Sequence, residues 1–321
     1  MSFVARMADH PHHPHRHRRR LRSLAFVPTL LTLGNLLCGF AAIHFSLRTM
    51  YEFGAGGALA VTAQHPAIER MLPSFLSVGA SFVVLGMILD MFDGLVARAT
   101  RQITNFGGQL DSLADIVTFG VAPATLLVAF MTKELAGDSI VPSPLSDSIL
   151  GRLTWMSAAM YVAMAAVRLA RFNVEHAKDD FDHRVFRGMP SPGAAAIVVA
   201  LILFQDQQIF PAARYVLVYA TPVLATSIAL LMVSRIPYRR FHRAYLLGRW
   251  PFGQVLIVLL VLAVLVVSPA PTLLVIALWY GLSGPVFYLD RRWREHRRRR
   301  AEFAHSPSAT VSPSGSARRS G

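Results

Sequence analysis

Apolar runs of roughly membrane-spanning length, repeated along the chain and separated by short basic segments, constrain this sequence more than any other feature. They occupy residues 24–47, 72–89, 110–131, 153–167, 191–204, 215–233, 252–267 and 272–289. About 20 residues of helix cross the hydrocarbon of a bilayer, and in lipid only helices and closed barrels satisfy their own backbone polar groups. The expected fold is all-α: a polytopic membrane bundle of about eight transmembrane helices. Composition agrees, because 54% hydrophobic residues, 16% charged residues and a mean hydropathy of +0.44 leave little polar surface for a soluble globule. The first run exceeds the apolar core of about 7–15 residues in a signal peptide, so it reads as an uncleaved span. The single cysteine, Cys38, excludes an intramolecular disulfide.

The net charge of +14 would suit a nucleic-acid partner, but the basic residues sit in tails and loops between the apolar runs, so none is expected. With eight spans both termini share one side. All but five of the 32 Lys and Arg (the five being Arg48, Arg70, Lys133, Arg152 and Arg214) then fall on that side. By the positive-inside rule the termini are cytoplasmic, in a multi-pass protein of the cell membrane. Residues 1–23 carry His12, His13, His15 and His17 among arginines; a metal-binding tract is one reading and a tail drawn to the membrane surface the favoured one. Residues 291–321, Arg-rich and then rich in Ser, Pro and Ala, are expected to be a second disordered tail. In the first span Pro28, Thr32, Gly34 and Asn35 are unusual for a lipid-facing helix, and they fit either bundle packing or the lining of a cavity.

Four carboxylates stand at the ends of two of these apolar segments. The sequence runs Asp90-Met-Phe-Asp93-Gly94-Leu-Val-Ala97-Arg98, then eight residues, then Gly107-Gly-Gln-Leu-Asp111-Ser-Leu-Ala-Asp115. An ionised carboxylate near hydrocarbon is costly unless it is paired or binds a cation, so such acids mark function. On helices, Asp90 and Asp93 share a face, and so do Asp111 and Asp115. Two such helices side by side converge their acids on one cavity. An oxygen-only cage suits Mg²⁺ or Mn²⁺ rather than zinc. Gly94 and Ala97 extend the first stripe and Gly107 precedes Asp111 by one turn, which leaves bare backbone for a bulky ligand.

The pattern D-x-x-D-G-x-x-A-R, eight residues, G-x-x-x-D-x-x-x-D resembles the signature of the CDP-alcohol phosphatidyltransferases, with every fixed position met. The resemblance implies a metal-dependent membrane enzyme that moves a phosphatidyl group from CDP-diacylglycerol to a small alcohol and releases CMP. It implies two divalent ions held by Asp90, Asp93 and Asp111, with Asp115 sharing one and acting as general base. Gly94, Ala97, Arg98 and Gly107 would line the cytidine and diphosphate pocket. It further implies a homodimer and a catalytic bundle of about six spans, here residues 24–238, with 239–290 as an additional helical pair.

Two segments share the cytoplasmic face expected for the motif. Arg168-Leu-Ala-Arg171-Phe-Asn173 closes the fourth span, and Gly188-Met-Pro-Ser191-Pro-Gly193 opens the fifth. The arginines are either snorkelling anchors or a pocket for phosphate or carboxylate. Together with Thr32-Leu-Gly-Asn35, Phe119-Gly-Val-Ala-Pro123 and Met232-Val-Ser234-Arg-Ile-Pro-Tyr238, they look like CDP-diacylglycerol–serine O-phosphatidyltransferases of the integral-membrane type. That implies L-serine as acceptor, with Arg168, Arg171, Asn173 and Ser191 around it or around the lipid phosphate. Pro28-Thr29 departs from the Pro-Asn common in such enzymes. Other acceptors (glycerol 3-phosphate, inositol phosphate or choline) remain open, as does an ion-coupled transporter, for which acids at the membrane midplane are expected rather than at one end. Only one H-x-K, at His176, is present, and His183 stands where a phospholipase D-type element needs Asp.

Overall fold

The computed structural model describes residues 26–54, 72–100, 105–136, 141–177, 188–207, 214–236, 238 and 252–305. The expectations for segments 1–23 and 306–321 lie outside the described residues. Every regular element among those described is helical: α1 (Phe26–Gly54), α2 (Phe75–Thr100), α3 (Asn105–Asp115), a π-helical turn (Ile116–Val121), α4 (Ala122–Glu134), α5 (Ile149–Ala177), α6 (Ser191–Asp206), α7 (Arg214–Val233), α8 (Phe252–Val267) and α9 (Pro269–His305). This is a polytopic membrane bundle, as the apolar runs require.

Among the described residues, six stretches are long and apolar enough to cross a membrane: Phe26–Phe53, Phe75–Val96, Phe106–Glu134, Ile149–Val174, Arg214–Val233 and Pro269–Arg297. Two of the eight expected spans are shorter. With 16 residues, α6 extends about 24 Å at 1.5 Å per residue, less than the roughly 30 Å of hydrocarbon. It packs against α2, α4, α7 and α9, and most of its side chains are buried. Protein, not lipid, surrounds α6, so its length need not match the bilayer. In α8, by contrast, Leu259, Leu260 and Val266 are exposed, and α9 is the helix it packs on.

Apolar burial alone does not drive helices together in lipid; close backbone approach and specific bonds do. Ala42, Ala80, Ala122, Ala165, Ala194, Ala195 and Ala229 are buried with no room to spare at the helix contacts, around Phe119, Phe130 and Tyr161. Gly39 lies so close to Thr118 that an added Cβ would stand 2.9 Å from the Thr118 Cα. That approach lets the Thr118 hydroxyl donate to the Asn35 carbonyl at 2.9 Å.

The third expected span is continuous in sequence but broken in its hydrogen bonding. Pro123, in the first turn of α4, has no N–H to give to the Phe119 carbonyl four residues earlier. The Tyr161 hydroxyl of α5 donates to that carbonyl at 3.2 Å instead. The chain widens into the π turn just before the proline, and π turns of this kind recur at functional sites.

At the end of the bundle away from the acids, charged groups tie helices together. Lys133 of α4 pairs with the buried Asp206 of α6, whose other oxygen accepts from Ser74 at 2.7 Å. Arg214 of α7 meets Glu134 at 2.6 Å. The expected disordered tail from residue 291 needs correction over its first part: α9 continues unbroken to His305. Asp290–Arg294 and Arg291–Glu295 pairs, one turn apart, and Arg297 stacked 3.7 Å over the Trp293 ring support that extension.

Candidate active site

Asp90 and Asp93 stand one turn apart on α2, and Asp111 faces them from α3. One oxygen from each of these three carboxylates falls within 4.8 Å of the others. The site depends on α2 and α3 lying against a common partner, and α1 is that partner, packing on both. From α1 the Thr32 hydroxyl reaches Asp93 Oδ2 at 2.6 Å, with the Pro28 carbonyl of its own helix 3.0 Å away. Asp93 is only 7% exposed, so this bond is sheltered from water.

Asp115 stands apart from the compact triad, at the last position of α3 before the π turn. The Asn35 side-chain amide donates to it at 3.4 Å. Asn35 is fully buried, and the Thr118 contact to its carbonyl fixes its helix against the π turn. Asp115 remains within charge–charge range of Asp90, Asp111 and Asp93, and of the Arg168 guanidinium of α5. Like charges gathered away from water repel strongly unless a cation joins them, because the effective dielectric there is low. Arg168 supplies one positive charge. The three clustered acids call for more.

The donor set fits a hard divalent cation. It is made of carboxylate oxygens, and the Asp111 Oδ1 is buried without a hydrogen-bond partner. A buried carboxylate oxygen with no hydrogen-bond donor has its lone pairs available to a cation.

Arg168 Nη1 donates to Ser191 Oγ at 2.6 Å, and Ser191 is 1% exposed at the start of α6. The two residues the sequence singles out from separate segments thus form one polar pair beside Asp115. Asn173 is placed differently. It lies on the exposed edge, where its amide and the Ser112 hydroxyl bond each other at 3.0 and 3.1 Å, fastening α5 to α3. Arg171 is half-buried two residues before it. Gly94 follows Asp93 on α2, and Gly107 lies in the first turn of α3; both are partly buried. Ala97 and Arg98 continue α2, and their side chains lie outside the described residues.

Thr32 and Asn35 are the residues that the acidic signature itself does not contain. Their polar character within an apolar run is the signal that marks them, and both side chains contact the acids.

Comparison with known proteins bears on this arrangement. The family model described as CDP-alcohol phosphatidyltransferase matches residues 25–230. The chain is similar to three curated proteins named CDP-diacylglycerol–serine O-phosphatidyltransferase. It is 32% identical to that of Bacillus subtilis (strain 168) over 231 residues, covering 70% of this chain and 98% of the relative. It is 30% identical to that of Helicobacter pylori (strain ATCC 700392 / 26695) over 207 residues, 64% and 78% of the two chains. The similarity to that of Mycobacterium leprae (strain TN) is 28% over 277 residues, 85% of this chain and 78% of the relative.

Proposed function

Because the chain belongs to the CDP-alcohol phosphatidyltransferase family, we propose that it transfers the phosphatidyl group of CDP-diacylglycerol to L-serine, giving phosphatidylserine and CMP by direct displacement. The observation that carries the chemistry is the convergence of Asp90, Asp93 and Asp111, with the orphaned Asp111 oxygen among them, beside Asp115. The printed names of the relatives support serine as acceptor.

In this reading Asp90, Asp93 and Asp111 would hold two divalent ions, Mg²⁺ or Mn²⁺, and Asp115 would contribute to one of them. When bound, such ions neutralise a diphosphate and act as Lewis acids toward a phosphoryl oxygen. The chain's own residues do the rest. Asp115 takes the proton of the serine hydroxyl as its oxygen forms a bond to the lipid-linked phosphorus and the bond to CMP breaks. Asn35 holds Asp115 in place through a neutral donor, which leaves the carboxylate free to accept a proton. Thr32 orients Asp93. Gly94, Ala97, Arg98 and Gly107 bound the nucleotide end.

Arg168 pairs with the serine carboxylate, steadied by Ser191. A guanidinium offers five N–H donors in a fixed fork, so one bond to Ser191 leaves donors for a carboxylate. Arg171 sits one turn away and takes the lipid phosphate, while Asn173 steadies α5 at the pocket's edge. The acids face the cytoplasm, where both serine and the basic segments of the chain are expected. Residues 24–238 form the catalytic bundle, and the enzyme works as a homodimer.

The test is release of CMP by purified protein given CDP-diacylglycerol and Mn²⁺ or Mg²⁺ with serine, glycerol 3-phosphate or inositol phosphate in parallel. Serine alone should support turnover. If CMP release requires one of the other alcohols, the acceptor assignment fails and the family chemistry stands.

A further inference from the structure

The helix beyond the family match reaches the first turn of α6, where Ser191 holds Arg168. α9 begins at Pro269, well past the matched residues 25–230, yet it packs along α6. A specific bond holds it there. Pro285 cannot donate to the Gly281 carbonyl four residues earlier, and the buried Tyr238 hydroxyl donates to that carbonyl at 3.0 Å in its place. Gly284 lies against the Tyr238 ring with no room for a Cβ. Tyr238 in turn is fixed by its chain neighbours: the Ile236 carbonyl accepts from Gly188 N–H at 2.9 Å and the Leu231 carbonyl from Met189 N–H at 3.1 Å, just before α6 begins.

Docked in this way, α9 brings Tyr280 over the first turn of α6. Its ring Cε1 would stand 2.6 Å from a Cβ on Gly193, two residues after Ser191. Its centroid lies 5.8 Å from that of Tyr238. Its hydroxyl is within charge range of the Arg168 guanidinium. A bulky, partly buried phenol from a helix outside the family match therefore packs on the turn of α6 whose Ser191 holds the cation expected to receive the acceptor.

We infer that Tyr280 is a specificity-determining residue: its ring bounds the space in front of Arg168, admitting a small zwitterion such as serine and excluding alcohols that carry a phosphate. Its hydroxyl, donor and acceptor at once, serves the same polar headgroup. The inference rests on the proposed pairing of Arg168 with the acceptor's carboxylate.

The experiment uses the full-length protein, CDP-diacylglycerol and Mn²⁺, and compares Tyr280→Ala, Tyr280→Phe and Gly193→Ala with the parent. Gly193→Ala displaces the ring without changing its chemistry. Tyr280→Ala should raise KM for serine about tenfold, the loss of one bond to a charged group, leave KM for CDP-diacylglycerol unchanged, and allow CMP release with glycerol 3-phosphate. Gly193→Ala should raise KM for serine in the same direction, and Tyr280→Phe isolates the share of the hydroxyl. If the alanine variant does not fold, as read by loss of CDP-dependent thermal stabilisation, the other two decide. An unchanged KM for serine in Gly193→Ala and in whichever Tyr280 variants fold, or changes confined to kcat, overturns the inference. Arg168→Lys separates it from its premise: if that change raises KM for CDP-diacylglycerol and not for serine, the acceptor pocket itself is misassigned.

Discussion

Replacing Thr32 by valine removes one hydroxyl and preserves the shape of the side chain, which isolates the bond that orients Asp93. The bond is 2.6 Å long and its acceptor is 7% exposed, so water cannot replace it in the folded protein. A hydrogen bond to a charged group is worth about 1.5–3 kcal/mol. At 1.36 kcal/mol per decade, that corresponds to roughly a 10- to 100-fold loss of metal affinity, the range found when groups orienting a metal ligand are removed. CMP release titrated with Mn²⁺ at saturating CDP-diacylglycerol and serine would report it. The activation curve of Thr32→Val should shift to higher metal by that factor, with much of kcat recovered at high Mn²⁺. Thr32→Ser, which keeps the hydroxyl, should restore the parent curve. If Thr32→Val loses kcat with no shift in metal dependence, or shows no change at all, Thr32 does not act through a metal-bearing Asp93.

Three further outcomes are expected. Asp115→Asn should abolish turnover while metal-dependent CDP binding persists, measured by thermal shift; full activity would refute its role as base. Lys133→Met strands the buried Asp206 carboxylate, and removing one partner of a buried pair costs about 3–5 kcal/mol; Lys133→Met with Asp206→Asn should recover part of the lost thermal stability in detergent, and no recovery would show that the pair is not what the single variant disrupts. Reporter fusions after Lys133 and after Gln208 should read as external. A cytoplasmic signal at either would overturn the topology proposed for the acids.

The membrane bundle and the acidic stripes of α2 and α3 were legible in the sequence, because both depend on local regularities. The length of an apolar run sets whether it can cross lipid, and helical spacing of three or four puts Asp90 with Asp93, and Asp111 with Asp115, on common faces. The signature could be read from residues 90–115 without knowing how any two helices pack. It could not say that Asp115 would stand apart from the other three, since that depends on how α2 and α3 pack against α1.

The partners that come from other helices follow from packing and not from any local pattern. Thr32 and Asn35 were legible as anomalies in an apolar run, yet their contacts to Asp93 and Asp115, 61 and 80 residues away, exist only because small residues such as Gly39 and Gly86 let α1, α2 and the π turn approach closely. The prolines give a similar lesson. Pro123 and Pro285 each free a backbone carbonyl, a local consequence any sequence reveals, but which hydroxyl fills the vacancy is a matter of packing. Tyr161 fills one and ties α5 to the π turn; Tyr238 fills the other and seats α9. Hydropathy could read the last helix only as an additional span, because the features that seat Tyr280 on the first turn of α6 are one carbonyl and two glycines, none of which changes the average polarity of the segment.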